Sequence, residues 1–275
     1  MKALAARLNY GWRVIATGLS FALFGIGGIL LSLTLFPLAR LLSANSDTTR
    51  RRTQFIMHAS WRVFIGFMKY AGILSWELRG GERLRQPGRL IVCNHPSLLD
   101  VVFMISFMPR VDCIVKTAIL RNPFMRWPAA WAGYVASDDP EALVEACAQR
   151  LRMGHSLLVF PEGTRSRPAE LIHLKRGAAQ IALAANAEVL PVTLTVVPTT
   201  LTKGRLWYHI PPRRFHVTVS VGEALRPADF QPQGTSRTLA ARRLTGHLER
   251  HFTAQVAQLT AEQAANRRSR KLLAL

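Results

Sequence analysis

The sequence predicts an α/β fold, a mixed sheet covered by helices, preceded by an N-terminal membrane-anchoring helical segment. Beyond residue 80, short β-rich runs alternate with stretches of helical character, an order typical of a sheet covered by helices. Before them, residues 14–39 contain no charged side chain. With 275 residues, the chain is long enough to bury a full core.

The uncharged run 14–39 is flanked by Arg13 and Arg40. As a helix it reaches about 39 Å, more than the hydrocarbon thickness of about 30 Å, so it predicts a bilayer segment. It is too long for the apolar region of a signal peptide, and a buried core helix seldom extends so far without a polar face. Glycines within residues 25–28 and Pro37 could bend it, which leaves open whether it crosses the bilayer or re-enters.

Basic residues are more numerous after this run than before it. Lys2, Arg7 and Arg13 precede the run, whereas Arg40, Arg50, Arg51, Arg52, Arg62 and Lys69 follow it. Because lysine and arginine accumulate on the cytoplasmic side of membrane segments, the sequence predicts a protein of the inner, cytoplasmic membrane. Its main domain is expected to face the cytoplasm.

Residues 54–76 form a second predicted helix. On a helical wheel His58, Arg62 and Lys69 lie within about 40° of one another, among apolar and aromatic residues. Such a cationic stripe fits an anionic membrane surface. A helix that packs on the domain and keeps a solvated stripe explains the pattern equally well.

The net charge of +20, from 36 Lys and Arg against 16 Asp and Glu, fits nucleic acid, anionic lipid or an anionic small molecule as a partner, and charge alone favours none of the three. Nucleic acid is not expected, because the chain has a long apolar run, few tyrosines and no basic-aromatic repeat to stack bases. The cysteines at 93, 113 and 147 form no CxxC pair, so neither a disulfide framework nor a zinc site is predicted. No metal and no other cofactor is expected.

The predicted domain contains β-rich runs and helical stretches. The β-rich runs are RLIVC, VDCIV, SLLVF, VLPVTLTVV and FHVTVSV, and the helical stretches include PEALVEACAQRLRMG and GAAQIALAANA. The chain is expected to divide into membrane-anchoring helices at 1–76, a catalytic domain at 77–225 and a basic helical extension at 226–275. The basic tail NRRSRKLLAL predicts contact with solvent or membrane.

The stretch LIVCNHPSLLD places His95 after a predicted strand and Asp100 five positions later. Positions five apart in a helix point about 140° away from each other, so His95 must precede the helix and fold back toward Asp100. Pro96 and Ser97 are expected in the first turn of that helix. The carboxylate would fix one imidazole nitrogen and leave the other free to take a proton. A helix cap beside an unrelated surface aspartate would also produce this spacing.

The stretch SLLVFPEGTRSRP predicts a second strand that runs into a polar turn. Gly163 gives the turn backbone freedom, and Thr164 and Glu162 supply a hydroxyl and a carboxylate. Arg165 has a guanidinium that can bind phosphate through paired hydrogen bonds. An ordinary polar turn has the same composition.

Lys175 and Arg176 lie at the start of the next predicted helix, in KRGA. Cations at that place oppose the helix dipole, so a nearby anion would relieve the conflict. The pattern therefore indicates an anionic substrate.

In order and approximate spacing, NHPSLLD, FPEGTRS, KRGA and VLPVTL resemble the membrane-bound glycerolipid acyltransferases typified by bacterial 1-acyl-glycerol-3-phosphate acyltransferase. The resemblance covers residues 76–222 and includes the HxxxxD motif. It implies transfer of a fatty acyl group from an acyl-carrier-protein or coenzyme A thioester to a lipid hydroxyl, without a covalent acyl-enzyme. The implied acceptor is a lysophospholipid, 1-acyl-glycerol-3-phosphate, which becomes phosphatidic acid.

The resemblance also implies roles for individual residues. His95 would be the general base and Asp100 its orienting partner, whereas residues 162–165 would bind the acceptor. The strand VLPVTL would line the acyl or acceptor site, with Pro191 indicating a strand edge or a bulge.

The chain departs from the family pattern at Asp139, where an arginine would hold the acceptor's phosphate. The order Asp-Pro-Glu at 139–141 looks instead like a helix N-cap and its first turn. The cations that could substitute are Lys116, Arg165, Lys175 and Arg176. A specialised or amino-acid-linked lipid is the alternative acceptor, and a non-catalytic membrane-binding homologue is the remaining alternative.

Overall fold

The computed structural model describes residues 2–166, 170–204 and 206–272. The helices are α1 (Lys2–Leu33), α2 (Leu35–Leu41), α3 (Ser46–Tyr70), α4 (Asp100–Phe107), α5 (Arg126–Trp131), α6 (Pro140–Arg152), α7 (Gly177–Ala185) and α8 (Arg237–Leu272). The strands are β1 (Leu74–Arg79), β2 (Leu90–Cys93), β3 (Asp112–Cys113), β4 (Leu157–Val159), β5 (Val189–Val197) and β6 (Phe215–Val221).

The strands form one mixed sheet in the order β1-β6-β5-β2-β4-β3. Strands β5, β2, β4 and β3 are parallel, β6 is antiparallel to β5, and β1 runs parallel to β6. The predicted α/β fold is confirmed, and each predicted β-rich run contains a strand. Strand β1 was not predicted, and its first residues lie within the range assigned to the second helix.

Helices cover both faces of the sheet. Helices α1, α3 and α4 pack on one face, and α6, α7 and α8 pack on the other. Along β2, Ile91 and Cys93 join the first group, whereas Leu90 and Val92 join the second. Burial of both faces explains why β2 reads as a continuous apolar run rather than an alternating one.

Strand β5 lies in the interior of the sheet, so the edge predicted from Pro191 is wrong. The pairing shifts by one residue between Val192–Val221 and Val189–Leu225, in agreement with the predicted bulge. Pro191 is opposite Val92 of β2, and the ladder with β6 begins one residue later, at Val192. On the β6 side Pro191 contributes its carbonyl, which accepts from the backbone N–H of Gly222 at 2.8 Å. The proline is tolerated because the β6 ladder does not use a donor at this position.

Helix α3 packs on the domain, which corrects the predicted cationic stripe at His58. The ring of His58 is buried, and its Nδ1 lies 3.0 Å from the carbonyl oxygen of Ile105. Arg62 and Lys69 are exposed. The helix therefore packs on the domain near His58, as the alternative interpretation predicted. Its exposed cations are confined to the later positions 62 and 69.

Helix α1 buries one side against the domain and exposes an apolar face on the other. Ala16, Thr17 and Ser20 are buried. The exposed apolar residues recur every three or four positions: Leu4, Leu8, Trp12, Ile15, Leu19, Leu23, Ile26, Leu30 and Leu33. That spacing places them on one face. By length and composition alone, the stretch Leu4–Leu41 could cross a membrane.

The predicted bend occurs at Thr34, between α1 and α2, and not at the glycines of residues 25–28. Pro37 has no N–H to donate to the carbonyl of Leu33, and its ring crowds that carbonyl. The helix is therefore interrupted one turn before the proline.

Candidate active site

The candidate site lies where β2 and β4 end. His95 follows β2, and Glu162 follows β4. Because β2 and β4 are parallel neighbours, both side chains emerge at the same edge of the sheet. Functional groups commonly gather at this edge of parallel sheets.

The structure brings His95 and Asp100 together by the predicted fold-back. Nδ1 of His95 lies 2.8 Å from Oδ2 of Asp100, which is the first residue of α4. The same oxygen accepts the backbone N–H of Ser97 at 2.6 Å. Pro96 and Ser97 lie in a turn before α4, so their predicted place in its first turn is wrong. The turn allows the carboxylate at the start of the helix to reach back to the imidazole.

Asp100 is 0% exposed. Burial raises the pKa of its carboxyl, and the hydrogen bonds from His95 and Ser97 oppose that rise. An ionised Asp100 accepts a hydrogen bond from Nδ1–H of His95, which leaves Nε2 as the basic nitrogen. Within the described parts of the chain Nε2 has no hydrogen-bond partner, and the His95 side chain is 17% exposed. A reacting group can therefore reach it.

The turn after β4 holds the backbone of His95 on both sides. Oε1 of Glu162 accepts the N–H of His95 at 2.8 Å, and the N–H of Ser166 donates to the carbonyl of His95 at 2.7 Å. Oγ of Ser166 donates to the same Glu162 oxygen at 2.9 Å. The ring of Phe160 lies 4.6 Å from the imidazole centroid. Glu162 thus fixes the position of His95 through its backbone.

Asn94 fixes the end of β2 against β5. Its Nδ2 donates to the carbonyl of Leu194 at 2.9 Å, and its Oδ1 accepts the N–H of Leu194 at 2.7 Å. The side chain therefore replaces a backbone pair where the ladder ends. These roles of Asn94 and Ser166 were not predicted. The only signal was their place inside the two motifs.

Arg165 is bound to the segment that follows β5. Its Nη1 donates to the carbonyl of Leu201 at 2.7 Å and to that of Thr202 at 3.3 Å. Elsewhere on the guanidinium, the described residues supply no hydrogen-bond partner. Thr164 beside it is exposed. Part of the guanidinium therefore stays available to a ligand.

Lys175 packs directly over Gly163. A Cβ on Gly163 would lie 3.1 Å from Cε of Lys175, and the φ of Gly163 is +66°. Both the left-handed backbone and the close lysine require glycine here. Arg176 is exposed at the N-cap of α7, as predicted. Lys116 is exposed and follows β3, which lies two strands from β2.

Asp139 is the N-cap of α6. Its Oδ1 accepts the backbone N–H of Glu141 at 2.9 Å and that of Ala142 at 3.4 Å. The predicted cap is confirmed. Its carboxylate is engaged with the start of the helix.

An apolar cavity of about 100 Å³ lies beside the His95 turn, between α1, α3, α4 and the segment after β5. Its apolar walls are Phe21, Phe24, Phe64, Met68, Ile73, Leu98, Leu99, Val102, Leu201, Ile210, Pro211 and Phe215. Leu98 and Leu99 belong to the turn that joins His95 to Asp100. The stretch VLPVTL, which was predicted to line the acyl or acceptor site, contributes no residue to these walls.

The chain is similar to several known proteins. Residues 75–195 match the family model described as Acyltransferase. The chain is 35% identical to a chloroplastic 1-acyl-sn-glycerol-3-phosphate acyltransferase of Arabidopsis thaliana over 38% of this chain and 30% of that protein. It is 29% identical to one of Chlamydomonas reinhardtii over 74% and 63% of the two chains. It is 27% identical to one of Pseudomonas aeruginosa over 52% of this chain and 58% of that protein.

A solved structure shares the fold. The crystal structure of the 1-acyl-sn-glycerophosphate acyltransferase from Thermotoga maritima matches with a TM-score of 0.69 and 18% identity, over 95% of this chain and 100% of that one. The chain therefore shares the fold of that protein.

Residues 75–195 are thus similar to acyltransferases, and the curated relatives are 1-acyl-sn-glycerol-3-phosphate acyltransferases, which confirms the resemblance. It spans 30%, 63% and 58% of the lengths of the three curated relatives named above.

Proposed function

We propose that the chain is a membrane-associated O-acyltransferase. It moves a fatty acyl group from a thioester of acyl-carrier protein or coenzyme A to the hydroxyl of a lysophospholipid. The acceptor is 1-acyl-glycerol-3-phosphate, and the product is phosphatidic acid. The observation that supports this best is the 2.8 Å contact between His95 and the buried Asp100, with the other imidazole nitrogen open.

In this mechanism Nε2 of His95 takes the proton of the acceptor hydroxyl as its oxygen attacks the thioester carbonyl carbon. The new C–O bond forms, the C–S bond breaks, and the thiol leaves with the proton that the imidazolium returns. Asp100 stabilises the imidazolium and fixes its tautomer. No acyl-enzyme forms, so neither a serine nor a cysteine nucleophile is needed.

The surroundings of His95 supply substrate binding. The apolar cavity beside Leu98 and Leu99 accommodates part of a fatty acyl chain. On the other side, the free part of the Arg165 guanidinium and the ammonium of Lys175 offer positive charge near Gly163. Arg176 and Lys116 add exposed cations at the same edge of the sheet, which favours an anionic substrate.

The apolar face of α1 associates with the bilayer. A face of leucines and isoleucines that the protein leaves exposed is stabilised by lipid. The exposed cations after it contact anionic headgroups at the inner membrane, and the acyltransferase domain faces the cytoplasm.

Product analysis tests this proposal. Purified protein in nanodiscs is incubated with either acyl thioester and a panel of acceptors, and the products are identified by mass spectrometry. The expected product is phosphatidic acid from lysophosphatidate. If only an amino-acid-linked or other specialised lysolipid is acylated, the proposed reaction would stand and the proposed acceptor would be wrong. Absence of acyl transfer with every donor and acceptor would favour a non-catalytic membrane-binding homologue.

A further inference from the structure

Two polar atoms in the wall of the apolar cavity have no partner. Nη2 of Arg13 and Oγ1 of Thr17 are buried, and neither makes a hydrogen bond within the described residues. Both residues line the cavity. They are four positions apart on α1, so they lie on one face, about 6 Å apart along the helix axis. Unpaired buried polar groups are rare, and two in one otherwise apolar cavity indicate a missing ligand.

Arg13 is held in place but its charge is not balanced. Its side chain is 2% exposed, its Nη1 donates to the carbonyl of Pro211 at 3.0 Å, and its Nε donates to Oδ1 of Asn9 at 3.2 Å. No carboxylate of the described chain forms an ion pair with it. A buried cation without a counter-charge destabilises the folded protein. An anion in the cavity would remove that penalty.

We propose that Arg13 and Thr17 bind the anionic head group of the single-chain lipid acceptor. This assignment rests on the proposed acyl transfer. The free Nη2 offers two N–H donors and the threonine hydroxyl offers one, a set that fits the oxygens of a phosphate or carboxylate. The apolar walls around them fit the single acyl chain.

The position of the cavity favours the acceptor. Leu98 and Leu99, which follow His95 in the turn, form part of the same wall as Arg13. Asp139, which stands where the family pattern has an arginine, is occupied as the cap of α6. Asp139 itself therefore supplies no positive charge for the acceptor's anion, which leaves that role to cations of other segments, and Arg13 is one of them. Arg13 lies on the buried face of α1, and the opposite face of this helix is exposed and apolar.

The test compares ligands that differ only in head group. Melting temperatures of the full-length protein in detergent are measured with lysophosphatidate, with monoacylglycerol of the same chain and with the matching free fatty acid. Wild type is expected to be stabilised more by lysophosphatidate than by monoacylglycerol. Arg13→Met should remove that difference and raise the lysophosphatidate KM at least tenfold, with a smaller change in kcat.

Three further variants keep the test decisive. Arg7→Met removes an exposed arginine from the same helix and should behave like wild type. Arg13→Lys keeps the charge and should give an intermediate KM. Thr17→Val should lower affinity for lysophosphatidate severalfold, which tests the site even where Arg13→Met folds poorly.

Two results would overturn the assignment. Equal preference for lysophosphatidate in wild type, Arg13→Met and Thr17→Val would make both residues structural. Loss of fatty-acid stabilisation in Arg13→Met with an unchanged lysophosphatidate KM would assign the site to free carboxylates. The melting shifts require no turnover, so absence of acyl transfer would count against the proposed function without deciding the binding site.

Discussion

Oδ2 of Asp100 accepts two hydrogen bonds at once, from Nδ1 of His95 at 2.8 Å and from the backbone N–H of Ser97 at 2.6 Å. The first fixes the imidazole, and the second fixes the carboxylate on the turn that carries the imidazole. The orientation of His95 is therefore set by the fold before any substrate binds. Such preorganisation lowers the cost of reaching the reactive geometry.

We predict that Asp100→Asn separates activity from stability. The amide oxygen can occupy the place of Oδ2 and accept both hydrogen bonds, but the neutral side chain no longer stabilises the imidazolium. Turnover should fall by about a hundredfold or more. Steady-state kinetics with a purified variant of unchanged melting temperature would check this, and near-normal turnover would contradict this role of Asp100.

The stability of the same variant should depend less on pH. Burial raises the pKa of Asp100, so the folded protein holds this proton at pH values where the unfolded chain has lost it. The carboxyl therefore contributes stability below its ordinary pKa that is lost as pH rises through the raised value. Denaturant unfolding of wild type and Asp100→Asn at several pH values should show that this part of the pH dependence disappears in the variant.

For Glu162, we predict a positioning effect on His95. Glu162→Ala removes the acceptor of the His95 N–H and of Ser166, and a displaced base should lower kcat about tenfold to a hundredfold. Glu162→Gln keeps a side-chain oxygen and should lose much less. If Glu162 instead binds the acceptor directly, as the family resemblance implied, its loss would raise the acceptor KM and leave kcat nearly unchanged.

Substitution of Asp139 should change stability rather than specificity. Because Asp139 caps α6, Asp139→Arg should cost about 1 kcal/mol of unfolding free energy. The preference for lysophosphatidate over uncharged and zwitterionic acceptors should stay the same, as a competition assay would measure. A gain in lysophosphatidate preference would show that this position faces the acceptor's head group.

Charges on the exposed face of α1 should release the protein from membranes. Leu23→Asp and Leu30→Asp together place two carboxylates where apolar side chains contact lipid, without altering the buried face. Liposome flotation should show reduced binding at an unchanged melting temperature. Met153→Asp, at an exposed apolar residue on the end of α6, should bind as wild type does. Equal flotation of all three proteins would rule out this face as the anchor.

The strands and the fold-back at His95 could be predicted because they depend on local sequence. Five apolar runs became strands, and the five-residue spacing excluded a pairing within one helix. The central position of β5 could not be predicted, because it depends on which strands become its neighbours. Burial of His58 was missed for a similar reason, since its partner Ile105 lies on another helix.

The partners inside the site also escaped prediction. Glu162 was expected to bind the acceptor, and nothing in its own stretch indicated that its carboxylate reaches the backbone of His95. That contact exists because β2 and β4 are adjacent and parallel. The role proposed for Arg13 could not be predicted either, because it depends on a cavity that is formed by segments far apart in the chain.

The turnover of purified His95→Ala with an acyl thioester and lysophosphatidate tests the proposed mechanism most directly. We expect a loss of at least about a hundredfold, because removal of a general base typically has that effect. Membrane binding and melting temperature should remain as in wild type, and His173→Ala, at an exposed histidine, should be fully active. Near-normal turnover of His95→Ala would contradict the proposed mechanism.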